Sequence, residues 1–168
     1  MAVVLPQGAL FRGGVEGEIR RHLLQKDLVE AVIGLAPNLF YGTGLAACLL
    51  VLRQRKAEQR AKKLLIVDAS SLFRKGRAQN FLETEHVAQI VKWTEAFKHV
   101  PHRARLLTMK EVEEEGWTLN IARYVTSPVG EDIPPLREAV AAFKQALGRC
   151  RESEDHLRRV MKEGGWLS

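Results

Sequence analysis

The residues of this sequence best suited to chemistry are two aromatics on a glycine-bearing turn. They lie in Asn38-Leu39-Phe40-Tyr41-Gly42-Thr43-Gly44. Glycine lets the backbone turn sharply where a side chain would clash. Two aromatics at such a tip are costly to solvate, so they either tuck into the core or meet a flat partner. Asn38 and Thr43 flank them with an amide and a hydroxyl. These groups serve the edge of a planar ligand or cap the turn itself, and turn-capping is the favoured reading.

Clustered cations stand elsewhere. Arg12 lies in Gln7–Gly17, a stretch that also holds Gly8, Gly13 and Gly14. Arg53, Arg55 and Lys56 open the basic run Arg53–Lys63, and Arg74 and Lys75 sit beside Arg77 in the loop Ala69–Gln79. Lys and Arg bind nucleic-acid phosphates by releasing condensed counterions, although solvated surface or linker is the commoner role of such residues. The formal charge of +6 over 168 residues points to anionic partners, nucleic acid first. Other chemistries find no support in the spacing. The glycines of Gln7–Gly17 fit neither a Walker A loop nor GxGxxG. Cys48 and Cys150 belong to no CxxC or Cys/His pattern, so neither a metal site nor a disulfide framework is expected. A reducing cytoplasm is the simplest setting. No apolar run reaches the ~18 residues that cross a bilayer, and no signal-peptide pattern opens the chain. A soluble, cytoplasmic protein that engages no membrane is expected.

Alternating strand and helix patterns predict an α/β fold to position these residues. Met1–Pro6 is β-branched and stopped by proline, with the character of a central strand. Glu16–Gln25 predicts a helix with Ile19, Leu23 and Leu24 on one face and His22 at the surface. Val29–Leu35 and Ala46–Leu52 read as buried strands flanking the aromatic loop. No helix joins them, so they are expected to be antiparallel neighbours. Met1–Pro6 and Val29–Leu35 are joined through a helix and read as a parallel unit. Leu64–Asp68 and Arg103–Thr108 add strands. Thr84–Phe97 predicts a helix capped by Thr84, with Val87, Ile90, Val91 and Thr94 sharing a face. Thr108–Glu111 matches a capping box, predicting a helix over Lys110–Glu115 that stops at Gly116. Trp117–Val125 reads as extended, and Pro128, Gly130, Pro134 and Pro135 mark a linker. Leu136–Met161 predicts one helix whose apolar residues Leu136, Val140, Phe143, Leu147, Cys150, Leu157 and Met161 step by four and three. Such a stripe needs a partner, on its own domain or on another subunit.

Four segments, in this order, resemble one family: VVLPQGALFRGGVEGEIRRHLL, DLVEAVIGLAPNLFYGTGLAACLLVL, LLIVDASSLFRKGRAQN and LNIARYV. They cover most of Val3–Val125 and are similar to the modification (M) subunits of type I restriction–modification systems, which are adenine-N6 DNA methyltransferases. The resemblance implies a Rossmann-like S-adenosylmethionine-dependent sheet. Ala2–Leu5 would be its fifth strand, and Val29–Leu35 and Ala46–Leu52 its last two. In such enzymes an aromatic in the loop before the final strand stacks on the flipped target base. Phe40 matches that position best, with Tyr41 next and Asn38 and Thr43 beside them. Arg12, Arg53, Arg55, Lys56, Arg74 and Lys75 become candidates for DNA phosphates.

The family also uses a Gly-rich cofactor turn and an Asn-Pro-Pro-[Phe/Tyr] clamp. Neither occurs in this sequence, whose one Pro-Pro is Pro134-Pro135. The resemblance therefore implies the C-terminal portion of an M subunit, beginning in mid-sheet. The parts are then 1–52 (end of the catalytic domain), 53–127 (an α/β extension with a basic linker) and 134–163 (a helix for subunit docking or self-packing). S-adenosylmethionine belongs to the intact enzyme, with none expected for this chain alone. The implied partners are DNA, the specificity and restriction subunits and the missing N-terminal half. An unpaired apolar edge on Ala2–Leu5 adds possible self-association. The alternative is a non-enzymatic module that binds DNA or the specificity subunit.

Overall fold

The structure is a computed structural model and describes residues 1–126 and 135–166. The chain divides into two units, Met1–Pro128 and Val129–Ser168. The first unit is built on strands β1 (Ala2–Pro6), β2 (Val29–Leu35), β3 (Ala47–Leu52), β4 (Lys63–Ala69) and β7 (Ala104–Thr108), with a separate two-stranded ribbon, β5 (Arg74–Lys75) and β6 (Asn80–Phe81). Its helices are α1 (Gly14–Gln25), α2 (Thr84–Ala96), α3 (Met109–Glu114) and α4 (Ile121–Tyr124). The second unit holds α5 (Leu136–Glu163).

The five-stranded sheet has the order β1-β3-β2-β4-β7. β3 is antiparallel to both β1 and β2, as the short connection from β2 requires. β2 and β4 are parallel, from Ala31↔Leu65 to Leu35↔Ala69, and β7 returns antiparallel to β4. β1, β2 and β4 therefore point the same way, and Pro6, Leu35 and Ala69 end along one border of the sheet. β1 and β2 are parallel, as a strand–helix–strand unit demands, but β3 lies between them. β1 is an edge strand rather than the central strand its sequence suggests, and Val4 is exposed.

Strand periodicity sorts β4 cleanly, because successive side chains leave opposite faces of the sheet. Leu64 and Ile66 join Leu24, Val32, Leu107, Val112 and Leu119 on the face covered by α1, α3 and α4. Leu65 and Val67 join Ala31, Ile33, Leu35 and Ile90 on the face covered by α2. Each such Leu or Ile, fully buried, contributes roughly 1.5–3 kcal/mol.

Three helical readings need correction. α2 is capped by Glu83, not Thr84: Glu83 and the His86 ring close the box, leaving Thr84 as the first helical residue. Ile90 is the buried residue of α2, with Trp93 and the left-handed Phe97 packed beside it, while Val87 and Val91 are exposed. α1 begins at Gly14, buries Leu24 and leaves Ile19 exposed. Trp117–Val125 is not extended. Leu119 N–H donates to Leu10 O at 2.8 Å, and α4 then turns Ile121, Tyr124 and Val125 inward at helical spacing. The Thr108–Glu111 capping box is present as expected and opens α3.

α5 follows Pro135 and covers the expected Leu136–Met161, with no buried residue. Pro128, Gly130 and Pro134 lie outside the described residues, as do position 127, where the part assigned to 53–127 ends, and position 134, where the part assigned to 134–163 begins. No described helix is long and apolar enough to cross a membrane.

Candidate functional site

The aromatic loop joins the end of β2 to the start of β3, at the border where β1, β2 and β4 end. Open parallel-strand sheets bind ligands at this border, because the strand-to-helix loops converge there. Asn38 takes a left-handed φ of 56° and Gly42 one of 75°. Phe40 and Thr43 then pair across the tip in an isolated antiparallel bridge. Leu39 packs into the core on the α2 side, which anchors the loop from within. The tip itself stays in solvent: Phe40 is 42% exposed and Tyr41 95%.

The flanking polar side chains are engaged with backbone. Thr43 Oγ1 accepts from Leu45 N–H at 3.1 Å. Asn38 Nδ2 donates to Ala78 O at 3.2 Å, reaching the turn that joins β5 to β6. Two more bonds tie this ribbon to the loop. Asn80 N–H donates to Asn38 O at 2.7 Å, and Asn80 Nδ2 donates to Pro37 O at 2.9 Å. The ribbon thus braces the aromatic loop. Neither Asn80 nor Ala78 stands out in the sequence, because their partners belong to a distant stretch of chain. A lone Asn among basic residues was the sole local signal.

The six candidate cations have different surroundings. Arg53 Nε lies 2.5 Å from Glu30 Oε2, in ion-pair rather than hydrogen-bond geometry, and Arg60 Nη1 lies 3.0 Å from Glu30 Oε1. Lys56 Nζ lies 2.5 Å from Asp27 Oδ1 and donates to Lys63 O, with its side chain almost wholly buried. The run Arg53–Lys63 is therefore a clasp fastened to buried Glu30 and to Asp27, not a free linker, and Arg60 also lies 4.4 Å from the centroid of the Phe97 ring. Arg74 pairs with Glu83 and lies 4.7 Å from the centroid of the Phe81 ring. Arg12 is exposed, with Glu16 at 3.7 Å. Arg55 and Lys75 are exposed and have no ion pair among the described residues, and the same holds for Arg77. Beneath Arg12, Arg20 donates to the carbonyls of Ala9, Arg12 and Trp117, fixing the path from β1 to α1. Burial holds its guanidinium below the usual range, partly offset by Glu16.

Two of the cavities near these elements adjoin the sheet. One of about 410 Å³ is lined by Gln7, Asp68, Ser70, Asn120, Ile121, Ala122, Val125 and Thr126, at the ends of β1 and β4. The other, about 230 Å³, is apolar and lies between α1 and the β1–β3 edge, lined by Leu5, Leu10, Ile19, Leu23 and Leu50 among others. No glycine lines either cavity, so neither offers the Gly-rich strand-to-helix turn that the resembled family uses for S-adenosylmethionine. The one carboxylate of the first cavity, Asp68, accepts from Ser70 N–H at 3.0 Å. No nucleophilic thiol adjoins either cavity. Cys48 is buried in β3 with its pKa pushed up to about 11 by desolvation, and Cys150 lies exposed on α5. Among the described residues no cluster of His, Cys, Asp and Glu suits a metal ion.

Comparison with known proteins places this architecture. The type I restriction enzyme MjaIX methylase subunit of Methanocaldococcus jannaschii is 30% identical over 169 residues, which cover 95% of this chain and 30% of the relative. The MjaVII methylase subunit of the same organism is 32% identical over 160 residues, covering 94% and 28%. The chain thus spans less than a third of the length of these two relatives. A crystal structure of the type I restriction-modification system methyltransferase subunit from Streptococcus thermophilus matches with a TM-score of 0.70 and 36% identity, over 74% of this chain and 26% of that one. The EcoKI M protein shares the fold with a TM-score of 0.59 at 17% identity. The family described as N-6 DNA Methylase matches residues 1–132, which take in the whole sheet and the aromatic loop, and the chain belongs to that family.

Proposed function

We propose that this chain is part of a type I restriction–modification DNA methyltransferase acting on the N6 amine of adenine, and that it walls the pocket for the target base. The observation that carries this reading is the exposed Phe40–Tyr41 tip at the border where three parallel strands end, held by hydrogen bonds on both flanks. A base inside a duplex cannot meet its methyl donor, so it must leave the stack at a cost of a few kcal/mol. Stacking on an aromatic ring returns ~1–3 kcal/mol of that. Phe40 is the better wall, since its ring is half-supported. Tyr41 is free to close over the base. Asn38 and Thr43 hold the loop backbone rather than the base, so the tip is organised before the base arrives.

S-adenosylmethionine supplies the electrophilic methyl when bound in the whole enzyme. The acceptors that orient the amine, and the cofactor site, come from polypeptide outside this sequence, so the chain alone transfers no methyl group. The sheet supports this division. The order β1-β3-β2, with an antiparallel strand inserted between two parallel ones, suits the fifth, seventh and sixth strands of a Rossmann-like methyltransferase. β1 would then pair through its open side with the rest of that sheet. α5 presents Leu136, Val140, Phe143 and Leu147 on one stripe, all exposed. Such a stripe suits docking on a specificity subunit, which would choose the DNA sequence, with the restriction subunit completing a cytoplasmic assembly. The same stripe is what favours the second reading, a non-catalytic module that binds DNA or the specificity subunit.

The test uses a short oligonucleotide carrying 2-aminopurine, whose fluorescence falls when it stacks. Binding to the chain is expected to quench it, and Phe40→Ala to weaken affinity by about tenfold (~1.4 kcal/mol) while restoring the emission. Unchanged affinity and unchanged quenching in both Phe40→Ala and Tyr41→Ala would reject the base wall.

A further inference from the structure

Among the described residues, the exposed cations without an ion pair that stand closest in the hydrogen-bond network to the aromatic loop belong to the β5–β6 ribbon. We infer that Lys75 and Arg77 are phosphate contacts of this site, each holding a backbone phosphate of the DNA strand beside the nucleotide whose base meets Phe40 or Tyr41. The inference rests on the base-wall reading and adds the ribbon as its second half.

Three observations lead to it. First, the ribbon is fixed to the loop, with Asn38 bonded to Ala78 and Asn80 bonded to both Asn38 and Pro37. Arg77 is thus one residue from a bracket that is itself three residues from Tyr41. A residue step spans at most about 3.6 Å, so the Arg77 backbone and the aromatic tip lie within the span of a few nucleotides. Second, the ribbon divides its charges. Arg74 is committed to Glu83 and to the Phe81 ring, which stiffens the strand pair. Lys75 and Arg77 are exposed without an acid partner among the described residues, so their charge is available. Third, the turn between them is tight. A Cβ on Gly76 would come within 2.4 Å of Gln79 O and 2.5 Å of the Phe81 ring, so glycine lets the two cations flank a compact corner. An aromatic platform beside a cationic track is how proteins hold a nucleic-acid strand that has left the duplex stack.

The test is a salt titration of binding between the full chain and a short single-stranded oligonucleotide. Each phosphate contact contributes about 0.7 to the slope of log affinity against log salt on a single strand. Lys75→Gln and Arg77→Gln are each expected to reduce the slope by about that amount, and the double variant by roughly twice as much. Lys92→Gln, an exposed cation on α2, serves as the control and leaves the slope unchanged. Phe40→Ala weakens binding at every salt concentration with the slope intact. If the ribbon variants match the control while Phe40→Ala still weakens binding, the phosphate contacts are rejected and the base wall survives. If the slopes fall but the aromatic variants bind normally, the contacts stand and the base wall falls. Absence of binding by the unaltered chain at low salt rejects both.

Discussion

Glu111 Oε2 accepts from the Thr108 backbone N–H at 2.8 Å and from its hydroxyl at 2.9 Å, and Oε1 faces Arg105 at 3.4 Å. The backbone hydrogen bond is the main cause holding this carboxyl below its ordinary value of 4.5; the Thr108 hydroxyl and Arg105 add to it and slight burial opposes it. A carboxyl whose pKa is depressed on folding stabilises the fold above its unfolded pKa. That contribution is lost as pH falls through the folded pKa. Glu111→Gln keeps the reach of the capping box but removes the charge. The denaturant midpoint of the unaltered chain should exceed that of the variant at neutral pH, and the gap should close as pH drops below 4.5. A gap independent of pH would contradict the assignment. This box was legible in the sequence because its two partners are three residues apart. Asn80, which matters more to the candidate site, was not legible. Its bonds to Pro37 and Asn38 exist only once β2 and the ribbon have been brought together.

The same contrast holds for whole elements. The five strands of the main sheet could be read from apolar runs between turn residues. So could the antiparallel relation of β2 and β3, since a helix-free loop leaves little choice. α4 could not, because Leu119, Ile121, Tyr124 and Val125 fit either periodicity over so short a span. The run Arg53–Lys63 was misleading in another way. Its charge suggests solvent or phosphate, yet Arg53 and Arg60 converge on Glu30, which is only 3% exposed. A carboxylate this deep in β2 must be paired, and removing one member of a buried ion pair strands the others. Arg53→Ala combined with Arg60→Ala leaves the buried Glu30 carboxylate without its cations and is expected to lower stability by about 3 kcal/mol. Chemical denaturation measures it, and a loss below about 0.5 kcal/mol, the range of ordinary surface substitutions, would show the clasp to be ornamental to the fold.

At the scale of the molecule, the sheet ends in two edge strands, β1 and β7, and β1 carries the exposed apolar residue Val4. β1 pairs with β3 through Ala2↔Val51 to Pro6↔Ala47. Beside it the apolar cavity bounded by Leu5, Ile19, Leu23 and Leu50 is open to solvent. An apolar strand edge recruits another strand, and lysine is the residue that natural edges use to prevent this. The purified chain is therefore expected to elute from size-exclusion chromatography at rising apparent mass with concentration, and Val4→Lys to suppress the rise. A concentration-independent monomer before any substitution would count against an adhesive edge. The β1 edge also bears on catalysis. If β1 awaits the remainder of a methyltransferase sheet, the cofactor site belongs to that remainder.

We propose that this chain carries the base wall of a methyltransferase without its cofactor site. Calorimetric titration of S-adenosylmethionine into the purified chain tests it most directly. The account predicts no saturable heat from micromolar to millimolar cofactor, and saturable binding would contradict it.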